Sequence, residues 1–341
     1  MSRSQFVQID ARELDSLAQS AAVPLPLEQS GAWDRFDEAV EGREPWRRFK
    51  WMLDGEVAAV ISLTLLEGRG FTYLWAKHGP IWFTEPTTVM ERQFRRGLAR
   101  IAREADRSLA FIRLHAQPAE DLADLLQSVT YDRTVVLNLM PSDDDRLGAM
   151  KKRGRRDVRK ALRDDTMVAA EETQQALDVF PQLYELLVET GSRDDFGILP
   201  RQTYEQMLTA LGPTHARLFT VRREGRPLCW GICTVNGTHA SYYYAASNEE
   251  GRRAGAPDLL VWSMSRFLKE SGVEMFDLMG IDSDRAPQLA GVRGFKTKFS
   301  EEITQIPGAW DYPLRPLFYR GLVAGLKAKR RLIAKLRSRS R

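Results

Sequence analysis

The chain has 341 residues, 50 of them Lys or Arg against 46 Asp or Glu, for a formal net charge of +4. Its 43% hydrophobic and 28% charged residues fit a globular protein, not a disordered or fibrous one, and the length predicts two domains or one large one. No run of about 18 apolar residues occurs, which argues against a membrane-spanning helix, and MSRSQFVQIDARELDSL lacks the apolar stretch of a secretion signal.

In chain order, Phe6–Ile9 reads as a strand and Ala11–Ala21 as a helix, before Pro24 and Pro26 end regular structure. A helix is expected after Trp33. Asp54-Gly55 is a two-residue hairpin turn between extended Phe49–Leu53 and Val57–Leu66. Strand Phe71–Ala76 runs into His78-Gly79-Pro80, and Pro86–Asp106 reads as an amphipathic helix with Phe94, Leu98 and Ile101 on one face. Strand Leu109–Leu114, helix Ala119–Ser128 and strand Thr134–Leu139 complete a mixed α/β half. The order then repeats in outline. A helix from Asp144 to Arg163 leads to strand Met167–Glu171 and helices Thr173–Thr190 and Pro200–Leu211. Strands Ala216–Arg223, Pro227–Val235 and Thr238–Ala246 follow, joined by Glu224-Gly225 and Asn236-Gly237 turns. Helix Asp258–Ser271 and strand Met275–Met279 close the half. No residue-level repeat is visible, but the shared order predicts two related α/β (mixed) domains.

Cys229 and Cys233 share a strand face at a spacing too long for a disulfide. With no further ligands nearby they read as small buried apolar residues, and a reducing compartment, the cytoplasm, is expected. The tail from Lys327 to Arg341 holds eight Lys or Arg and no acid; taking those eight from +4 leaves −4 for the rest. Such a tail is either a contact for lipid headgroups or nucleic acid, or a frayed end that aids solubility.

Four stretches carry candidate chemistry. Phe276–Phe299 leaves a buried strand at Gly280 and enters a polar loop with Asp282, Asp284 and Arg285. Gly280, Gly291 and Gly294 are expected to give it positive φ or close approach, and Phe295-Lys296 follows. A lysine there is suited to stabilising a developing negative charge; the other reading is a surface turn with a solvated lysine. Met150–Arg163 holds eight Lys or Arg against Asp157 alone, with Val158, Ala161 and Leu162 facing inward on a helix. Its stripe of Lys152, Arg156, Lys160 and Arg163 suits a phosphate backbone such as RNA, or is a solvated face. In Tyr242-Tyr243-Tyr244, alternation sets Tyr243 opposite Tyr242 and Tyr244. Arg193-Asp194-Asp195-Phe196 and Arg201 lie between helices, able to hold a carboxylate or phosphate. No P-loop, nucleophile elbow, zinc-protease motif, dinucleotide fingerprint or metal-like histidine spacing is present, so no metal site is expected. Gly251–Ala256 resembles a coenzyme A pyrophosphate loop ahead of a helix.

Taken together, Gly79-Pro80, Arg155–Ala161, Arg193–Phe196, Tyr243–Ser247, Phe276–Gly280, Gly291-Val292 with Phe295-Lys296, and Asp311–Leu314 resemble the FemAB/FemX family. These are aminoacyl-tRNA-dependent peptidyltransferases that build the interpeptide bridge of peptidoglycan. The resemblance implies two tandem GNAT (acetyltransferase)-like domains of the compact type, without a coiled-coil arm. The domains would be residues 1–145 plus 311–341, and 146–310. It implies transfer of an amino acid from aminoacyl-tRNA to a stem-peptide amine of lipid II or a nucleotide-linked precursor, with no cofactor beyond the aminoacyl-tRNA co-substrate. Lys296 and Phe295 would be catalytic. Arg201, Tyr204, Tyr244, Tyr243, Arg193 and Arg35 would bind the precursor, and Lys152, Arg155, Arg156, Arg159, Lys160 and Arg163 the tRNA. Arg35 is the nearest substitute for a precursor-binding lysine that this chain lacks after Trp33, and His115 stands where the family often has an acid. On the same fold, an acyl-CoA-dependent N-acyltransferase and a non-catalytic RNA- or membrane-binding module are the alternatives. With Leu317, Phe318, Leu322, Leu326, Leu332, Ile333 and Leu336 among its cations, the final segment is expected to touch the inner membrane leaflet.

Overall fold

In a computed structural model of the protein, residues 3–126, 130–194 and 197–339 are described. Its contacts divide the chain into two units, Met1–Thr130 with Pro307–Arg341, and Tyr131–Ile306.

The first unit is built on a sheet ordered Ser4–Ile9, Arg43–Leu53, Glu56–Gly68, Phe71–Trp75, Phe111–His115 and Ala309–Pro313, with Ile81–Trp82 paired to Glu56–Gly68. Asp54 and Gly55 both have positive φ, so the tight turn follows the twist of its strands as read from the sequence. Among the described residues of this sheet only Phe71–Trp75 and Phe111–His115 run parallel, and that crossover is made by helix Thr88–Ala105. The helix starts where the Thr87 hydroxyl accepts from the Met90 N–H, and it buries Phe94, Leu98 and Ala102 on the sheet.

The second unit repeats this plan. Its sheet runs Val136–Asn138, Met275–Asp277, His239–Ser247, Arg226–Asn236, Ala216–Arg223 and Met167–Glu171. Again one pair is parallel, His239–Ser247 with Met275–Asp277, crossed by helices Glu249–Ala254 and Ala256–Glu270. Cys229 and Cys233 are buried free thiols in the core between this sheet and the Ala256–Glu270 helix, and burial pushes both pKa values up.

Several expectations change. The strand near residues 134–139, read into the first domain, pairs with Met275–Asp277, and Arg133–Thr134 pairs with Thr304–Gln305, so both belong to the second unit. The first unit resumes at Pro307, because Ala309–Pro313 hydrogen-bonds to Phe111–His115. Residues 119–126 are not helical. Ala123 instead exchanges backbone hydrogen bonds with Asp311, and the Asp121 carboxylate pairs with the buried Arg95. Tertiary partners outweigh a helical pattern there; 127–129 lie outside the described residues. The helix read from 144 to 163 is two helices, Asp143–Ala149 and Lys152–Ala161, separated at Met150-Lys151.

The final helix, Pro316–Arg339, packs in the first unit through Phe318, Tyr319, Leu322 and Leu326. Three apolar residues read as membrane-facing, Phe318, Leu322 and Leu326, are therefore used in packing, while Leu317 is 81% exposed. The buried hub here is Asp311. It takes a bidentate contact from Arg113 (2.7 and 3.1 Å) and lies 2.8 Å from the Tyr319 hydroxyl. Removing one partner leaves an uncompensated buried charge. Asp311→Ala is expected to lose about 3–5 kcal/mol in urea unfolding. The double variant Arg113→Met/Asp311→Leu should regain much of it.

Candidate active site

The site is a notch where two parallel strands part. His239–Ser247 pairs with Met275–Asp277 only as far as Ser241 opposite Asp277. Beyond that point the tyrosine strand continues, while the other chain turns away through Leu278, Met279 and Gly280. Among the described residues, the parallel pairing of the tyrosine strand ends at Ser241.

On one side of the notch, the Asp277 carboxylate accepts from the Met279 N–H (2.6 Å) and from the Thr134 hydroxyl, closing the strand end. The positive φ falls on Met279 (62°), not on Gly280. Gly280 is needed for close approach, since a Cβ there would stand 2.4 Å from the Tyr131 ring. The chain stays attached to its neighbour through Ile281 N–H to Arg133 O (3.0 Å). Gly291 and Gly294, read as loop glycines, lie in a short helix, Ala290–Lys296. That helix is tied back by Arg293, which donates to the Asp282 carboxylate (3.0 Å) and so occupies one of the two loop acids.

Lys296 ends this helix, and its Nζ donates to the Gly280 carbonyl at 2.8 Å. Burial lowers its pKa to about 8, against the opposing pull of the Asp277 carboxylate. One of its three protons is used on Gly280, which leaves two for a ligand in the notch. Phe295 is half-buried, edge-on to Phe299 at 5.4 Å.

On the other side, the strand does not alternate as read. Ile232 pairs with Tyr244 but Cys233 with Tyr242, so Tyr243 is a bulge. The bulge turns Tyr242 into the core beside Phe276 and sends Tyr244 to the opposite face, where it meets Tyr204 edge-on at 4.8 Å. Tyr243 lies against Tyr244 at 5.0 Å. Tyr184, absent from the sequence reading, joins this cluster. It lies 6.1 Å from Tyr204 and donates to the Leu199 carbonyl, while Leu199 N–H donates to the Tyr204 oxygen. Tyr184 sits one helical turn after Phe180, the spacing that could have revealed it.

The remaining candidates divide. Arg193 donates to the Ser247 carbonyl at the end of the tyrosine strand (2.9 Å). Arg201 is exposed and pairs with Glu205 in the next turn. Asp195 and Phe196 lie outside the described residues. On the basic helix Lys152–Ala161, the residues Lys152, Arg156, Arg159 and Lys160 are exposed, as is Arg163 just beyond it. Arg155 is half-buried, and its Nη1 donates to the Gly148 and Met150 carbonyls, closing the preceding helix. Val158 and Ala161 are buried as read, but Leu162 is 47% exposed. Among the described residues no cluster of His, Cys, Asp or Glu has metal-ligand geometry.

In the first unit, Arg35 is exposed on helix Gly31–Ala39. His115 stacks on His78 at 4.9 Å and donates from Nδ1 to the Pro307 carbonyl (2.8 Å). Burial and the neighbouring His78 lower its pKa to about 3, so its ring is neutral at physiological pH.

Residues 148–288 match the family model described as an acetyltransferase (GNAT) domain. The solved structure of FemX superposes with a TM-score of 0.72, covering 93% of this chain and 99% of FemX at 17% identity. Its fold is that of FemX. A tandem GNAT protein from the clavulanic acid biosynthesis pathway matches at TM-score 0.56 and 12% identity, covering 92% of this chain and 99% of that one. L-PGS from Bacillus licheniformis matches at 0.54 and 12%, covering 94% and 97%. In sequence, the chain is 27% identical over 167 residues to the UDP-N-acetylmuramoylpentapeptide-lysine N(6)-alanyltransferase of Weissella viridescens. That match spans about half of each chain, 49% of this one and 48% of the relative. The tandem acetyltransferase-like fold and the FemX resemblance read from the sequence are borne out.

The environment of Lys296 has a signed consequence. With Lys296 carrying a ¹³C-methyl label, its NMR titration is expected to centre near pH 8. Asp277→Asn removes the charge that favours the ammonium, so the midpoint should fall further. A midpoint in the ordinary lysine range near 10.5 would contradict the burial.

Proposed function

We propose that this protein is an aminoacyltransferase that moves an amino acid from aminoacyl-tRNA to the stem-peptide amine of a peptidoglycan precursor. The observation that carries the reading is Lys296, an ammonium held on the Gly280 carbonyl at the mouth of the strand notch. The Weissella relative is named for alanyl transfer to a lysine N6, an amine acceptor of the same class.

The neutral amine attacks the ester carbonyl, and the carbonyl oxygen becomes an oxyanion. Lys296 Nζ and nearby backbone N–H groups stabilise that charge. Collapse forms the amide and expels the ribose oxygen of the tRNA. The amine's proton ends on that oxygen, so the reaction balances without a protein base. This agrees with His115 as a neutral, weakly basic ring. Tyr204, Tyr243 and Tyr244 form the precursor wall, and the exposed cations of the basic helix contact the phosphates of the tRNA.

The acyl-CoA reading is weakened at the long helix Ala256–Glu270. Its first turn holds the protein's own Asp258 carboxylate, paired with Lys298, where an incoming pyrophosphate would need an open N-terminus. The Gly251 N–H is also already used, donating to the Asn248 side-chain oxygen at 2.7 Å.

Incubation with a pool of charged tRNAs and either lipid II or the nucleotide-linked precursor, followed by mass analysis, tests the proposal. A precursor gaining one amino-acid residue, with the gain abolished by ribonuclease, is the expected outcome. A gain dependent on acyl-CoA would replace it. Lys296→Met is expected to lower kcat by about 10²–10³-fold. The wild-type rate should fall as pH rises through about 8, where Lys296 loses its proton, and Lys296→Arg should shift that alkaline limb upward. The basic end of the chain is proposed to hold the enzyme at an anionic membrane face. Flotation with anionic liposomes should weaken on deleting residues 327–341, and equal binding would remove that role.

A further inference from the structure

The basic helix and the lysine helix are joined through one buried side chain. Lys298, two residues after Lys296, has a side chain only 9% exposed. Its ammonium stands between two carboxylates, that of Asp258 on the long helix and that of Asp157 on the basic helix, the latter at 3.8 Å. The backbone is clamped at the same point. Lys151 N–H donates to the Lys298 carbonyl at 3.2 Å, and a Cβ on Gly154 would stand 2.1 Å from that oxygen. The Lys298 ammonium also lies 4.8 Å from the centre of the Phe295 ring and 5.5 Å from that of Phe299. Phe299 N–H returns to the Lys296 carbonyl at 3.2 Å. The residues that flank Lys296 are thus fixed against the helix that carries the cationic face.

Asp157 has a second set of partners. Arg156 donates to it at 3.0 Å and Arg153 lies 3.5 Å from it, and both guanidinium groups are largely exposed. One carboxylate is therefore shared between two surface arginines and one buried lysine. A phosphate that draws Arg153 and Arg156 outward leaves Asp157 less neutralised, so its attraction for Lys298 rises. Lys298 is then biased toward the basic helix and away from Asp258. An element poised between two carboxylates is a discrete, biasable arrangement, not a continuously deformable one.

We propose that Asp157 and Lys298 form a positioning link through which nucleic-acid phosphate bound on the basic helix sets the placement of Lys296. The link rests on the aminoacyl-tRNA reading above and adds that the tRNA, besides carrying the amino acid, tunes the site that receives it. Neither residue touches the reacting atoms; both act through Phe295 and the backbone around Lys296.

The test uses the full chain with ¹³C-methyl-labelled Lys296 and an uncharged RNA minihelix, comparing wild type, Asp157→Asn, Lys298→Met and Lys298→Arg. Thermal unfolding and circular dichroism establish that each is folded. If Lys298→Met does not fold, Asp157→Asn, whose side chain is 20% exposed, carries the test alone. Expected is an RNA-dependent shift of the Lys296 titration in wild type and Lys298→Arg, lost in Asp157→Asn and Lys298→Met, with RNA affinity changed less than about threefold. In the transfer assay the two uncoupled variants should lose about tenfold in kcat with KM for the charged RNA little changed. A Lys296 titration that responds to RNA equally in all variants overturns the link, as does a wild type that binds RNA without any response. RNA that fails to bind wild type overturns the tRNA reading and the link together. RNA binding with normal aminoacyl transfer in Asp157→Asn overturns the link alone.

Discussion

The hydrogen bond from Lys296 to the Gly280 carbonyl is the contact on which the second unit's site depends. It requires a carbonyl left over where a parallel strand stops pairing, and a helix that ends a lysine's reach away. The first follows from Asp277. Its carboxylate takes up the Met279 N–H and the Thr134 hydroxyl, so the chain leaves the sheet there instead of pairing further along the tyrosine strand. Asp277 also favours the charged form of the half-buried ammonium, against the cost of burial. A single carboxylate thus opens the notch and conditions the group within it.

Around that contact the protein spends charge internally more often than its composition suggests. Arg155 closes a helix end, Arg95 is buried between Glu91 and Asp121, and Arg113 is buried against Asp311. Lys298 is held between two acids. Each is a cation whose desolvation is tolerable only because a carboxylate or carbonyl meets it. A charge-dense sequence therefore overstates the cations available for an anionic partner. Those that remain exposed on the basic helix, Lys152, Arg153, Arg156, Arg159 and Lys160, are fewer than the run from Met150 to Arg163 contains.

The tyrosine cluster follows from one irregularity in the strand beside the notch. Without the bulge at Tyr243, Tyr242 and Tyr244 would point to one face and Tyr204 would have no aromatic partner on the strand. The bulge also lies just past the last paired residue, Ser241. One extra residue in a strand thereby sets which tyrosine ring meets Tyr204.

The sequence by itself determined what depends on local chemistry. Gly55 and Gly225 adopt the positive φ that glycine permits in their turns, and the strands they join are where alternation put them. The helix burying Phe94 and Leu98 and the Phe295-Lys296 landmark were equally legible. Tertiary structure alone decided the rest. The stretch at 119–126 has a helical composition, yet it lies beside a strand nearly 190 residues away, a partner no local pattern announces. The tyrosine bulge breaks a period-two argument without changing a residue type. Lys298 is indistinguishable in sequence from a solvated lysine, and becomes structural only because Asp157 and Asp258, far apart in the chain, converge on it. Propensity and turn chemistry act over a few residues; the partners that hold a buried charge or redirect a strand come from folding.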